Sequence, residues 1–266
     1  MRSGYLPYWH ALTTTEAAAL AARDPVVVLP LAAIEQHGPH LPLSTDLDIG
    51  LGLLHEAFRQ LPNDLPVRVL PPQTIGASRE HLRFAGTLSL DPELIGELIH
   101  QHGTALASSG VRRLVLFNSH GGNLRAMDTA ALRLRDERGI LVVKASYFTF
   151  SRPDSVALPE SEWRHGLHGG AVETAMMLHL CPDLVHTDAI QRFPSLGQDL
   201  DGPLRRVGPE GEASFAWLAG DLNPHGVTGD ARLADAETGQ RLVAHYGRVL
   251  AEVIQDARAF PLDRLV

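Results

Sequence analysis

Four short runs of apolar, largely β-branched residues punctuate the chain: VVVLPLA at 26–32, VRVL at 67–70, RRLVLFN at 112–118 and ILVVKASY at 140–147. The first and the last two are apolar at nearly every position rather than at alternate ones, so both of their faces must be covered. That pattern predicts strands of a parallel sheet. Between them the apolar positions take up helical spacing. LDIGLGLLHEAFRQL after Asp46, DPELIGELIHQHGTALASSG and LRAMDTAALRLRDERG read as helices, and ADAETGQRLVAHYGRVLAEVIQDAR as a long closing one. Asp91 offers an N-cap with Pro92 in the first turn, and Gly110 and Gly139 fall where helices should end. The β-α-β-α-β-α-β order with right-handed crossovers predicts an α/β fold, a three-layer α/β/α sandwich around a mostly parallel sheet. A length of 266 residues suits one domain spanning 1–266. The stretches 148–168 and 190–232, rich in Pro, Gly, Arg and Asp, predict loops over a site or a subunit contact.

Composition narrows the partners. Hydrophobic residues make up 44% and charged residues 20%, which suits a folded globular chain and excludes a disorder-dominated one. With 23 basic against 31 acidic residues and a net charge of −8, nothing draws the chain to nucleic acid or to an anionic membrane, which leaves a small-molecule substrate as the expected partner. No apolar run approaches the ~20 residues that span a bilayer. The N-terminal sequence also lacks a basic stretch followed by an apolar one, so a cytoplasmic location is expected. The single cysteine, Cys181, excludes an internal disulfide and reads as an apolar filler beside Met176 and Met177. Lys144, the only lysine, reads as a strand residue whose amine reaches solvent or a carboxylate.

The candidate chemistry sits at the carboxyl ends of the strands, where parallel α/β sheets bind their ligands. The first strand runs into Glu35, His37, His40, Asp46 and Asp48; the third runs into Asn118-Ser119-His120-Gly121-Gly122-Asn123. A helix near 169–180 follows His168 and carries Glu173. If the strand continues, Glu35 and His37 leave the same face and can bind metals side by side. Asp46 returns after a loop stiffened by Pro39 and Pro42. A carboxylate so held can bridge two cations, one oxygen each, and two ions about 3.5–4 Å apart suit hydrolysis. His120 is placed to approach the same point, and such a donor set suits Zn, Mn or Fe. The competing reading of these four residues is a capped, hydrogen-bonded loop without metal. Asp48, at a helix start, is more often an N-cap than a ligand. His40 either lines the site or orders its loop, while Ser78 and His81 either contact substrate or brace loops. His100 and His102, two apart on a helix, cannot share a face and read as solvated; His179 and His186 read as ordinary helix or loop residues. Asn118 and Asn123 are expected to fix the His120 turn through backbone bonds.

Taken in order, Glu35-Gln36-His37-Gly38-Pro39-His40-Leu41-Pro42 with Thr45-Asp46, Gly76-Ala77-Ser78 with His81, Asn118 to Asn123, His168-Gly169-Gly170-Ala171-Val172-Glu173-Thr174 and Gly229-Asp230 resemble the creatininase (creatinine amidohydrolase) family over nearly the whole chain. The resemblance implies an α/β/α amidohydrolase, commonly hexameric, with two divalent ions (Zn, Mn or Fe) per chain. Glu35, Asp46 and His120 would hold one ion, and His37 with the bridging Asp46 the other. Water activated between the ions would attack a carbonyl, and His168 would carry the proton to the leaving nitrogen. The creatinine-cleaving members place an aromatic residue and a metal-ligating glutamate directly after the histidine aligned with His120, where this chain has Gly121 and Gly122. Glu173 is assigned to replace that ligand. Those members also carry an acidic residue where Leu167 stands, and a tryptophan aligned with Arg164, one position from Trp163. Ser78, His81, Gly121 and Trp163 are expected around the substrate. Creatinine is therefore not the expected substrate, and an amide, formamide or lactam is. Alternatives are a lactone or a small peptide on the same site, a member that binds without turnover, and a serine hydrolase suggested by Ser119-His120-Gly121-Gly122. The last lacks any G-x-S-x-G nucleophile elbow.

Overall fold

A computed structural model describes residues 6–265. The predicted strands form β1 (Val26–Leu31), β2 (Val67–Val69), β3 (Arg113–Asn118) and β4 (Leu141–Ser146), all parallel in the order β2-β1-β3-β4. The helices are α1 (Thr14–Ala21), α2 (Thr45–Gln60), α3 (Pro92–Ser108), α4 (Leu124–Arg138), α5 (Glu160–His165), α6 (Ala171–Leu180), α7 (Leu196–Leu200), α8 (Ala219–Leu222) and α9 (Ala236–Ala259). Alternation along the buried strands divides the core in two. Val26, Val28, Val115 and Phe117 face Ile49 and Leu53 of α2, Met176 of α6 and Leu242, Leu250 and Ile254 of α9. Val27, Leu29, Leu31, Leu114 and Leu116 face Ile95 and Ile99 of α3 and Met127 and Leu134 of α4. Three layers result, as the uniformly apolar strands require. No helix among the described residues is long and apolar enough to cross a membrane.

The helix punctuation follows the sequence with two corrections. Gly139 ends α4 in the left-handed region at φ 67°, and Gly110 turns the chain after α3 at φ 89°. However, α2 begins at Thr45, one residue before Asp46, so Ser44 and not Asp48 takes the N-cap position. Asp48 lies in the first turn, where its carboxylate accepts a 2.7 Å hydrogen bond from the Ser44 hydroxyl. Acidic residues there suit the positive end of the helix dipole. The second correction is His100, which is buried rather than solvated: α3 turns its Ile99 and Gly103 side onto α4, and His100 meets Glu137 at 2.8 Å. His102 remains exposed, its Nδ1 2.7 Å from the Leu98 carbonyl. Lys144 pairs with Asp128. Cys181 is half-buried, packed against the α2–α6–α9 side of the core and lining a groove with Asp48 and His55.

The register sets the site. Leu31, Asn118 and Ser146 are direct neighbours at the carboxyl edge, so the segments that follow β1, β3 and β4 emerge side by side. Arg192–Phe193 pairs antiparallel with Gly229–Asp230, and Thr228 bridges His168, which folds part of the 190–232 segment back over that edge.

Candidate metal centre

Beyond Leu31 the chain cannot continue as a strand, because Glu35 N–H donates to the Leu43 carbonyl and closes residues 35–43 into a loop. Gly38, at φ 72°, turns it. The loop carries Glu35 and His37 inward, both essentially fully buried, and α2 then presents Asp46, also buried, from its first turn. After β3, the Asn118 side chain accepts from His120 N–H at 3.1 Å and donates to the His120 carbonyl at 2.8 Å. Asn123 braces this turn against Ala77 and Ala32, as expected of the two asparagines.

Two clusters of donors share Asp46. Glu35 Oε1 and Asp46 Oδ2 each lie 3.3 Å from His120 Nδ1. On the other side, His37 Nε2 is 3.4 Å from Asp46 Oδ1 and 3.8 Å from Glu173 Oε2. Two ligands of one tetrahedral ion at about 2.0–2.1 Å stand about 3.4 Å apart. These spacings match that value, and each set of three could hold a metal ion, as could Glu35, His37 and His168. Glu35 Oε1 and Oε2, His37 Nε2 and Asp46 Oδ2 are buried without a hydrogen-bond partner. Buried polar atoms in native proteins are nearly always partnered, so four converging orphans fit cations that would satisfy them together. Ligand histidines characteristically give their other ring N–H to a fixed acceptor. Here His37 Nδ1 donates to the Glu35 carbonyl at 3.1 Å, and His120 Nε2 to the Ala77 carbonyl at 2.9 Å.

Electrostatics tells the same story. Burial pulls the His37 pKa down, but Asp46, Glu173 and Glu35 outweigh it and hold it at about 9. His120 is likewise raised well above its usual value against its burial, by Glu35 and Asp46. Burial pushes Glu35 up, yet His120, His81 and His168 hold it well below the usual carboxylate range. Protons on the imidazoles thus balance the carboxylates where metal ions would.

His168 sits between His37 and His81, its ring tilted against both, with centroids 4.1 and 4.4 Å away. Its Nε2 donates to the Gln36 carbonyl at 2.7 Å, which leaves Nδ1 free of hydrogen and 3.7 Å from Glu35 Oε1. Burial and the neighbouring His37 lower its pKa. The Gln36 amide donates to His81 Nδ1 at 2.8 Å and to the Gly226 carbonyl, so His81 turns an Nε2–H toward Glu35 Oε1 at 3.4 Å. Burial lowers the His81 pKa to about 3, so it remains neutral. Ser78 Oγ lies 3.3 Å from His120 Nε2. Gly121 is exposed, and a Cβ there would meet nothing within 4 Å, which leaves that flank open. Trp163 instead packs against the core of the α2–α6–α9 side, with the Arg152 guanidinium 5.1 Å from its ring. His40 is buried, its Nε2 near the Gly169 carbonyl and Thr174, and so orders its loop. The Ser119 hydroxyl donates to the Leu31 carbonyl inside the fold, which removes it as a nucleophile.

Three contributors went unread in the sequence. Tyr147, the residue after β4, donates its hydroxyl to Glu173 Oε1 at 3.1 Å, and Gly169 N–H donates to Oε2 at 2.6 Å, so Glu173 is held from both sides. Glu80 places Oε1 3.9 Å from His81 Nε2 and 4.0 Å from His120 Nε2, beside Gly122. The Gln36 side chain is the third. Tyr147 had a signal in its place at the carboxyl end of a strand, and Gln36 in its place between Glu35 and His37.

A family model described as creatininase, creatinine amidohydrolase, matches residues 10–254. The chain belongs to the creatininase family. A mycofactocin precursor peptide peptidase of Mycolicibacterium smegmatis is 33% identical over 88% of this chain and 85% of that protein. A creatinine amidohydrolase of Pseudomonas putida is 33% identical over 66% of this chain and 72% of its own length. A solved creatininase described with Mn superposes with a TM-score of 0.76 at 27% identity, covering 97% of this chain and 100% of that one. The family and the fold class read from the sequence are thereby borne out, and creatininase-family proteins are metal-dependent amidohydrolases. Gly122 stands where the resemblance to the creatinine-cleaving members implies a glutamate in those members. A Cβ there would lie 2.0 Å from the Ala77 carbonyl oxygen, 2.5 Å from His120 Nε2 and 3.1 Å from Glu80 Oε1. No side chain fits at 122 without moving the loop opposite.

Proposed function

We propose that the chain hydrolyses the C–N bond of a small amide, formamide or lactam at a centre holding two divalent ions, Zn, Mn or Fe. Glu35, Asp46 and His120 would hold one ion; His37, Asp46 and Glu173 the other. The observation that carries this reading is the convergence of four orphaned buried atoms on two ion-sized points sharing Asp46. Ions held there would supply Lewis acidity, making water nucleophilic at neutral pH and polarising the carbonyl under attack. The chain's own groups do the rest. His168, fixed as the Nε2–H tautomer by Gln36, offers Nδ1 to take the proton from the attacking water and pass it to the leaving nitrogen. His81, Nε2–H inward and neutral, would donate to substrate, and Ser78, beside the His120 ring, would support that flank of the site. The expected setting is a cytoplasmic homohexamer.

One observation favours a second substrate class. Similarity to the precursor peptide peptidase spans 88% of the chain, that to the creatinine amidohydrolase 66%, and the flank at Gly121 is open. A bond near the end of a short peptide therefore belongs in the same assay as formamides, lactams and cyclic ureas.

The deciding measurement is metal content per chain in the protein as purified, with Glu173→Gln beside it. Two ions in the wild type and one in the variant are expected; one or none in the wild type, even after reloading, rejects the centre. Ion binding should also release protons, because His37 and His120 hold theirs at neutral pH in the metal-free fold. Lower pH favours the protonated rings and so opposes the ions. Apparent Mn affinity at the His37 site should rise about tenfold per pH unit between about pH 6 and 8. A flat profile would mean His37 is not a ligand.

A further inference from the structure

We infer that Glu162 is a positioning residue for the reaction, a buried carboxylate in a socket of three glycines that fixes the segment carrying both His168 and Glu173. Glu162 lies on α5 and is only 4% exposed. Its Oε1 accepts from the N–H of Ala171, the first residue of α6, at 2.7 Å, and its Oε2 accepts from Asp230 N–H at 2.7 Å. One carboxylate therefore ties the start of the Glu173 helix to the strand that folds back over the site.

The glycines show that the surroundings are shaped to this group. A Cβ at Gly166, Gly170 or Gly229 would lie 2.4, 2.6 and 2.6 Å from Glu162 Oε1. All three positions must stay bare while the carboxylate is present. Gly229 additionally sits at φ 123°, a backbone region open to glycine. His168 lies between Gly166 and Gly170. On its other side, Thr228 N–H donates to the His168 carbonyl at 2.8 Å and Leu167 N–H to the Thr228 hydroxyl at 3.2 Å. Gly169, whose N–H holds Glu173 Oε2, belongs to the same pinned segment.

Burying a carboxylate costs desolvation, which charge-assisted bonds and the positive end of α6 offset. A neutral amide could satisfy only one of the two N–H groups. The charge thus sets both bonds, and through them the aim of His168 and Glu173.

The Glu173 arm of this inference rests on the metal-centre reading; the His168 arm does not. The test titrates Mn into Glu162→Gln and Glu162→Ala, with and without formate, and records the imidazole nitrogen signals of His168. We expect the ion at His37, Asp46 and Glu173 to bind ~10–100-fold more weakly, as when outer partners of metal ligands are removed, with the Glu35–Asp46–His120 ion unchanged. His168 should lose its single tautomer. Formate, able to accept from both N–H groups in the emptied socket, should restore both in Glu162→Ala. Wild-type affinities with an unchanged His168 would overturn the inference, as would loss of both ions without formate rescue, which marks general loss of structure. If Glu162→Ala does not fold, Glu162→Gln decides alone. If Glu173→Gln run in parallel keeps both ions, the assignment of Glu173 fails, and Glu162 stands or falls on the His168 signals.

Discussion

Asp46→Ala should leave the protein unable to hold either ion, with hydrolysis falling at least as far as on loss of the proton-carrying histidine. Asp46 gives one oxygen to each cluster: Oδ2 faces His120 and Oδ1 faces His37. No other carboxylate among the described residues belongs to both of those clusters. The check is thermal. A ligand that binds only the folded state stabilises it by about 2.7 kcal/mol at a hundred times its Kd. A chelator should therefore lower the wild-type melting temperature and leave that of Asp46→Ala unmoved. A variant that keeps two ions and a chelator-sensitive melting point would mean that Asp46 is not the shared ligand.

His168→Ala should separate chemistry from metal binding. The ring gives Nε2–H to Gln36 and points a bare Nδ1 at the centre, so its removal would take away the proposed proton carrier. General acid–base groups typically contribute 10²–10⁴-fold, and turnover should fall by roughly that factor with both ions retained. Elemental analysis of the same preparation is essential, because Nδ1 also lies 3.7 Å from Glu35 Oε1 and belongs to a third possible ion-holding group. Loss of an ion together with activity would make His168 a ligand instead.

The layers and the outline of the centre were legible because both depend on pattern and on strand ends. Uniform burial of VVVLPL and RLVLFN fixes a covered parallel sheet, and its register then sets the segments bearing Glu35 and His120 side by side. His100 escaped because its burial depends on which side of α3 meets α4, a matter of helix pairing that its spacing from His102 cannot reveal. Asp48 was displaced from the cap because Ser44, Thr45 and Asp46 all suit a helix start. Glu162 was invisible for a different reason. Its partners are backbone N–H groups 9 and 68 residues away, and backbone carries no sequence signal.

Gly122 has a consequence for any redesign of this chain. With the loop bearing Ala77 and Glu80 packed onto the bare backbone at 122, a glutamate cannot be introduced there by a single change, because its first carbon would collide with a main-chain oxygen. Anyone grafting the creatinine-cleaving pattern onto this chain must first rebuild residues 77–80. A glutamate at 122 and the present packing of residues 77–80 against that backbone thus exclude one another in this fold.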